Sequence, residues 1–289
     1  MARCWALGVR FWALGFRLWA PGFGPWALGF RFWALGVSGL LLAGCAPRLL
    51  SLPTDPGNPL PDFAQIYREA TAACADVRTL TAELSLTGRA GGQRIRGRAI
   101  VGFERPRSMR LEGVAPFGPP AFILAAHDDL AVLLLPRDNR VLRGERAEDI
   151  LGALTGVGLA PAELQAVFTG CVSATPGATN GRMHANGWAS VDLPDGGVLY
   201  LERMNTQWRA RAASRSGWEI EYSAWQGTFP QTVRLRSTDP RVAVDISATV
   251  SQVEANIPVD QAAFTVNAPS DARALTLAEL RANGPLGER

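Results

Sequence analysis

In segment after segment between Thr79 and Ser251 the apolar residues return with a period of two. Leu80, Ala82, Leu84 and Leu86 alternate with Thr79, Thr81, Glu83, Ser85 and Thr87. Ile95, Ala99, Val101 and Phe103 alternate with Arg94, Arg96 and Arg98, and Met109 and Leu111 continue the pattern after Pro106. Trp218, Ile220, Tyr222 and Ala224 alternate with Glu219 and Glu221, and Val233 and Leu235 with Arg234 and Arg236. Val242, Val244, Ile246, Ala248 and Val250 alternate with Asp245, Ser247, Thr249 and Ser251. Successive side chains of a strand point to opposite faces, so each segment has one apolar face and one wet face. Phe122–Ala126, Leu130–Leu135, Arg140–Arg143, Trp188–Leu193, Val198–Arg203 and Trp208–Ala213 bring the total to about twelve strands. Gly91-Gly92, Asp195-Gly196 and Ser216-Gly217 are turns between them.

So many one-sided strands need a cover or must curl. The expected fold is mainly β with helices (α+β). It is a strongly curved antiparallel half-barrel of about 11–12 strands, with helices covering its concave face. The first helix runs from Phe63 to Val77, with Asp62 as N-cap and Phe63, Ile66, Tyr67, Ala70 and Cys74 on one face. Glu148–Leu154 and Pro161–Phe168 form a helical insert, and Pro161 is tolerated in a first turn. After Phe264-Thr265-Val266 a short helix is expected near Leu277–Arg281.

Between sheet and helices the apolar faces would enclose a lipid-sized cavity. Its expected lining is Leu84, Leu86, Val101, Phe103, Met109, Leu111, Phe122, Leu124, Ile150, Leu154, Trp218, Ile220 and Tyr222. A fully packed core is the alternative. The arginine row of Arg94, Arg96 and Arg98 is most simply a solvated outer face.

The run Leu40-Leu41-Leu42-Ala43-Gly44-Cys45-Ala46 sets where the working chain begins. An apolar stretch, two small residues and a cysteine read as a bacterial lipobox, in which Cys45 accepts a diacylglycerol and residues 1–44 are cleaved away. The other reading is a chance cysteine after an Ala/Leu/Gly-rich run. Cleavage leaves 289 − 44 = 245 residues, ample for a core. The chain carries 29 basic and 26 acidic residues. The leader holds Arg3, Arg10, Arg17 and Arg31 and no acid, so the mature charge is 25 − 26 = −1. The basicity belongs to the leader, and nucleic acid is not an expected partner.

Trp5, Trp12, Trp19, Trp26 and Trp33 recur every seven residues, but Pro21, Pro25 and the glycines oppose a coiled coil. A translated DNA repeat or a mis-assigned start codon accounts for this pattern, and a retained membrane helix is the alternative. Residues 45–62 carry Pro47, Pro53, Pro56, Pro59 and Pro61 and read as a lipidated N-terminus and tether. Residues 63–289 then form a single domain.

Of the four cysteines, Cys4 leaves with the leader and Cys45 would be lipidated. Cys74 and Cys171 remain, either as a disulfide in an oxidising compartment or as two buried thiols.

Catalytic patterns are absent. His127 and His184 are the only histidines, no Gly-x-Ser-x-Gly or phosphate loop occurs, and Pro161 follows Gly156-Val157-Gly158 too closely for a dinucleotide fingerprint. The acidic pairs Asp128-Asp129 and Glu148-Asp149 sit in a turn and at a helix start. The expectation is a binding protein, not an enzyme, without metal or cofactor.

Val114-Ala115-Pro116-Phe117-Gly118-Pro119-Pro120 interrupts the strands, since proline and glycine oppose ladder pairing. Phe117 on this loop is either tucked back as a core plug or exposed for contact.

The order of these features resembles the LolB family of the LolA/LolB superfamily. Its Asn/Ser-Pro-Leu-Gly loop is matched by Ala115-Pro116-Phe117-Gly118, and its Ala-Glu-x-x-hydrophobic-Gly-x-Leu-Thr-Gly helix by Ala147–Gly156. Leu164–Gly170, Trp218–Tyr222 and Phe229-Pro230 follow in the family's order. Phe117 stands where the family has leucine, and Ile257–Arg289 extends past its usual end, with Ala263–Pro269 closer to the carrier LolA. The resemblance implies a lipoprotein on the periplasmic face of the outer membrane, expected as a monomer. It implies an apolar cavity that takes lipoprotein acyl chains from a soluble LolA-like carrier. It also implies a membrane-insertion loop at Pro116, Phe117 and Gly118 that releases those chains into outer-membrane lipid. An envelope lipoprotein that binds another lipid or glycolipid, a scaffold for an envelope assembly, and a degenerate enzyme are the other classes left open.

Overall fold

Gly91 and Gly92 both adopt positive φ, +56° and +80°, between the paired residues Ala90 and Gln93. A two-residue turn of this kind matches the natural twist of antiparallel strands, so it fixes one long hairpin in register from Thr79↔Glu104 to Ala90↔Gln93. That hairpin is the middle of the sheet. The computed structural model describes residues 50–128, 130–215 and 217–283. The lipobox with Cys45 and the Trp-repeat leader lie outside these residues. The chain divides after Leu50, and the unit Ser51–Arg289 carries all that follows.

The elements run β1 (Asn58–Pro59), α1 (Phe63–Ala75), β2 (Thr79–Ala90), β3 (Gln93–Glu104), β4 (Ser108–Val114), β5 (Phe122–His127), β6 (Leu130–Leu135) and β7 (Arg140–Glu145). Then come α2 (Ala147–Thr155), α3 (Pro161–Thr169), β8 (Asn180–Met183), β9 (Ala189–Asp192), β10 (Val198–Met204), β11 (Gln207–Arg215), β12 (Trp218–Gln226), β13 (Phe229–Ser237) and β14 (Val244–Ala255). A 3-10 turn (Gln261–Phe264), β15 (Arg273–Ala274) and α4 (Leu277–Asn283) are the last elements among the described residues.

The strands form one open, curved sheet in the order β1-β8-β9-β10-β11-β12-β13-β14-β2-β3-β4-β5-β6-β7-β15. Fifteen strands exceed the expected 11–12, and β7–β15 is a parallel exception in an otherwise antiparallel sheet. The additions are β1, β8 and β15, which are two or four residues long and too short to show a period. β1 also corrects the tether: the end of the proline-rich segment is built into the sheet edge, where Asn58 and Pro59 pair with Met183 and Arg182. An edge strand tolerates a proline that cannot donate. The pairing of β14 with β2 brings the two halves of the chain together. It is close at Gly88, where a Cβ would stand 2.1 Å from the Asp245 carbonyl oxygen, so only glycine fits.

Asp62 sits at the N-cap of α1, but its side chain makes no capping bond. Its ψ of 16° departs from the extended geometry a cap requires, and only its carbonyl accepts, from the N–H groups of Gln65 and Ile66. Phe264 closes the 3-10 turn and is buried, and Thr265 and Val266 follow it outside any helix or strand. The tail belongs to the domain: Arg110 donates to the carbonyls of Ala263 and Thr265, and Leu275 and Leu280 join the core.

Candidate functional site

The concave faces of five neighbouring strands and the two central helices enclose an apolar cavity. Its floor is Leu84 and Leu86 of β2, Val101 and Phe103 of β3, Met109 and Leu111 of β4, Leu235 of β13, and Ile246 and Ala248 of β14. Its cover is Leu151 and Thr155 of α2, Val157 of the following loop, and Leu164 and Phe168 of α3. Thr155 is the one polar residue of this lining, and its hydroxyl is held by the Leu151 carbonyl at 2.9 Å. A lining this apolar offers water almost no hydrogen-bond partner and favours an apolar guest.

The volume is about 80 Å³. A cavity of about 150 Å³ holds a benzene-sized guest. The cavity is smaller than the lipid-sized one expected, and an acyl chain enters it only if the cover moves aside. Leu86, Leu111 and Thr155 are the lining residues that stay half-exposed. They mark the mouth. It lies toward the end of the sheet that carries the Gly91-Gly92 turn and the loop after β4.

The two halves of the cover are held differently. α3 is tied to the rest of the domain at both ends. Arg215, almost fully buried on β11, donates to the Val172 carbonyl at 2.8 Å and to Glu163 at 2.9 Å, and pairs with Asp195 at 3.0 Å. Val172, a β-branched residue, is thereby held at φ +69°. Gln165 reaches the carbonyls of Val77 and Arg78, and Tyr222 donates to the Val167 carbonyl at 3.0 Å. Burial pushes the Tyr222 phenol well above its ordinary range, so it stays a neutral donor. Cys171, just beyond α3, is disulfide-bonded to Cys74 in the last turn of α1, with Cα atoms 5.7 Å apart. By contrast, among the described residues no side chain of α2 hydrogen-bonds to the sheet. α2 packs its buried Ile150, Leu151 and Leu154 and meets α4 through the exposed Asp149–Arg281 pair.

Phe117 projects from the loop between β4 and β5 and is 88% exposed. Pro116, Pro119 and Pro120 surround it, Gly118 turns the chain at φ +76°, and Arg137 donates to the Phe117 carbonyl at 2.8 Å. The loop is closed at its base by the Ala121 N–H and the Gly113 carbonyl, 2.9 Å apart. The core-plug alternative does not hold.

Six expected lining residues, Leu84, Leu86, Val101, Phe103, Met109 and Leu111, meet around the cavity. Seven do not. Phe122 and Leu124 are buried on β5, Ile150 and Leu154 point from α2 into the packed core, and Ile220 and Tyr222 are buried on β12 behind α3. Trp218 is half-buried at the rim of the core. Leu235, Ile246 and Ala248 were visible as alternating residues; their place in the cavity follows from the β14–β2 pairing, which no local pattern reveals.

One array has catalytic residue types. His184 Nε2 lies 2.9 Å from Ser190 Oγ, and its Nδ1 lies 3.4 Å from Asp55 Oδ1. Ser190 is 1% exposed on β9 and touches none of the cavity, so no substrate reaches its hydroxyl. The array pins the N-terminal segment to the sheet, with the Ala185 N–H also held by Asp55.

No protein-family model matches the chain, and no curated protein matches it. Solved structures do. A LolA superfamily protein from Nitrosomonas europaea is 11% identical, with 70% of this chain and 97% of that one covered and a TM-score of 0.47. A DUF1329 family protein from Desulfovibrio piger is 11% identical, with 72% and 98% covered and a TM-score of 0.45. The lipoprotein LppX from Mycobacterium tuberculosis is 12% identical, with 69% and 98% covered and a TM-score of 0.30.

Proposed function

We propose that this chain is a lipid-anchored envelope lipoprotein that shelters acyl chains of lipidated proteins and hands them to a bilayer. The observation that carries the reading is the joint placement of the apolar cavity and Phe117. The half-exposed lining residues Leu86 and Leu111 lie toward the end of the sheet from which Phe117 projects. A chain leaving the mouth meets the loop next.

The energetics are simple. Each methylene kept from water contributes about 0.8 kcal/mol, so a lipidated client needs shelter until it reaches a membrane. Transfer then runs down a gradient of affinity, from a LolA-like carrier to this cavity to outer-membrane lipid, with no bond broken and no cofactor. This is the role of the LolB family, to which the Ala115–Gly118 loop and the Ala147–Gly156 helix point. In this reading α2 is the moving part of the cover and α3 the fixed wall. The protein acts by binding, not catalysis, and Cys45 carries its anchor.

The small closed volume supports a second reading, a scaffold lipoprotein whose cavity is a packing defect. A synthetic acylated lipopeptide separates the two. Incubated with the purified protein and passed over a sizing column, it should co-elute, and it should move to liposomes added afterwards. A lipopeptide that never co-elutes supports the scaffold and ends the first reading.

A further inference from the structure

The β2–β3 hairpin carries Arg94, Arg96 and Arg98 at a spacing of two on β3, and Arg89 faces Arg94 in register. All four therefore point to the same side of the sheet, and all four are exposed. Two arginines directly opposite each other destabilise a hairpin, so the arrangement costs stability. Five other arginines of the sheet are each neutralised by a carboxylate: Arg234 by Asp245, Arg236 by Glu219, Arg110 by Glu112, Arg182 by Asp192 and Arg211 by Glu202. Among the described residues nothing does this for the hairpin four. Asp245 stands across from Arg89 but is held by Arg234 at 2.6 and 2.7 Å.

The cluster lies at the end of the sheet where Phe117 projects. Arg98 is paired with Val114, the last residue of β4 before the loop. On the other side the Gly91 N–H donates to the Ala243 carbonyl at 2.9 Å, next to the exposed Val242. Arg137 holds the Phe117 carbonyl. One rim thus presents two apolar tips with four uncompensated guanidinium groups between them.

We infer that this rim is a docking surface for an anionic phospholipid bilayer, in which Arg89, Arg94, Arg96 and Arg98 take lipid phosphates while Phe117 and Val242 enter the interface. Arg94 and Arg98 are roughly 13 Å apart along the strand, too far for one phosphate but suited to an array of headgroups. A protein partner needs about 800 Å² of complementary surface, whereas isolated apolar tips among cations fit the interfacial mode. The inference rests on Phe117 meeting the membrane and is independent of the cavity.

The test uses protein purified from membranes after expression of the full chain. Phe117→Cys is labelled with an environment-sensitive fluorophore; Cys74 and Cys171 are bonded to each other and do not compete. Vesicles of phosphatidylcholine alone are compared with vesicles containing phosphatidylglycerol. The expected result is a blue shift with phosphatidylglycerol only, reversed by high salt, with the shifted fraction reduced at least about tenfold by R89Q/R94Q/R96Q/R98Q. Thermal melting confirms that this variant is folded. An equal shift in neutral vesicles, or a shift that survives the fourfold variant, overturns the arginine assignment and leaves the Phe117 reading intact. No shift in either vesicle overturns both.

Discussion

Tyr222 on β12 donates its phenol to the Val167 carbonyl of α3 at 3.0 Å, and both residues are fully buried. The bond fixes α3 against the sheet from behind the cavity. The Val167 carbonyl also accepts from the Gly170 N–H at 3.2 Å, so removing the phenol leaves no orphaned acceptor. Tyr222→Phe should therefore cost about 1 kcal/mol in denaturant unfolding. Lipopeptide affinity should be unchanged, because Tyr222 does not line the cavity. A change in affinity without a change in stability would place Tyr222 in the site after all.

The Cys74–Cys171 bridge closes a loop with a sequence separation of 97 and joins the ends of α1 and α3. Replacing both cysteines by alanine should lower stability by about 2–4 kcal/mol. In the unaltered protein, alkylation without reductant should label neither residue. Labelling of both in the folded state would contradict the bond.

Phe117→Glu should fold as well as the parent, within about 0.5 kcal/mol, since the side chain is 88% exposed. It should still take up lipopeptide but pass it to liposomes slowly, because a carboxylate is expelled from the interface. Transfer at the parent rate would remove the loop from the mechanism.

Native-state hydrogen exchange should separate the two covering helices. The amides of α2, Ala147–Thr155, should exchange at least about tenfold faster than those of α3, Pro161–Thr169, because only α3 is tied by the bridge, Arg215, Gln165 and Tyr222. Equal protection would mean that the cover moves as one body or not at all.

The alternation of Leu84, Leu86, Val101, Phe103, Met109 and Leu111 was legible because each strand shows its own apolar face. Which faces meet was not. Leu235, Ile246 and Ala248 have the same alternation as Trp218, Ile220 and Tyr222. The sheet order places β14 beside β2 and β13 next to β14, and puts β12 further out, behind α3. That choice is set by a pairing between residues more than 150 positions apart, such as Leu84 with Val250, where no local propensity acts. The size of the cavity was equally hidden, since it depends on how closely Leu151, Leu164 and Phe168 settle onto the sheet. Phe117 was readable as a loop residue from its flanking Pro116, Gly118, Pro119 and Pro120; its exposure needed the three-dimensional structure.

In the proposed function an acyl chain occupies the space above Ala248 once the cover has moved aside. Ala248→Leu adds three carbons into a void of about 80 Å³, where they should settle without strain, so the fold should be as stable as before or more so. A fluorescent fatty acid titrated into the parent and the variant then reads the site directly. The prediction is saturable binding to the parent, displaced by lipopeptide, and affinity at least about tenfold weaker in Ala248→Leu with an unchanged or raised melting temperature. Equal affinity in the two proteins would contradict the account.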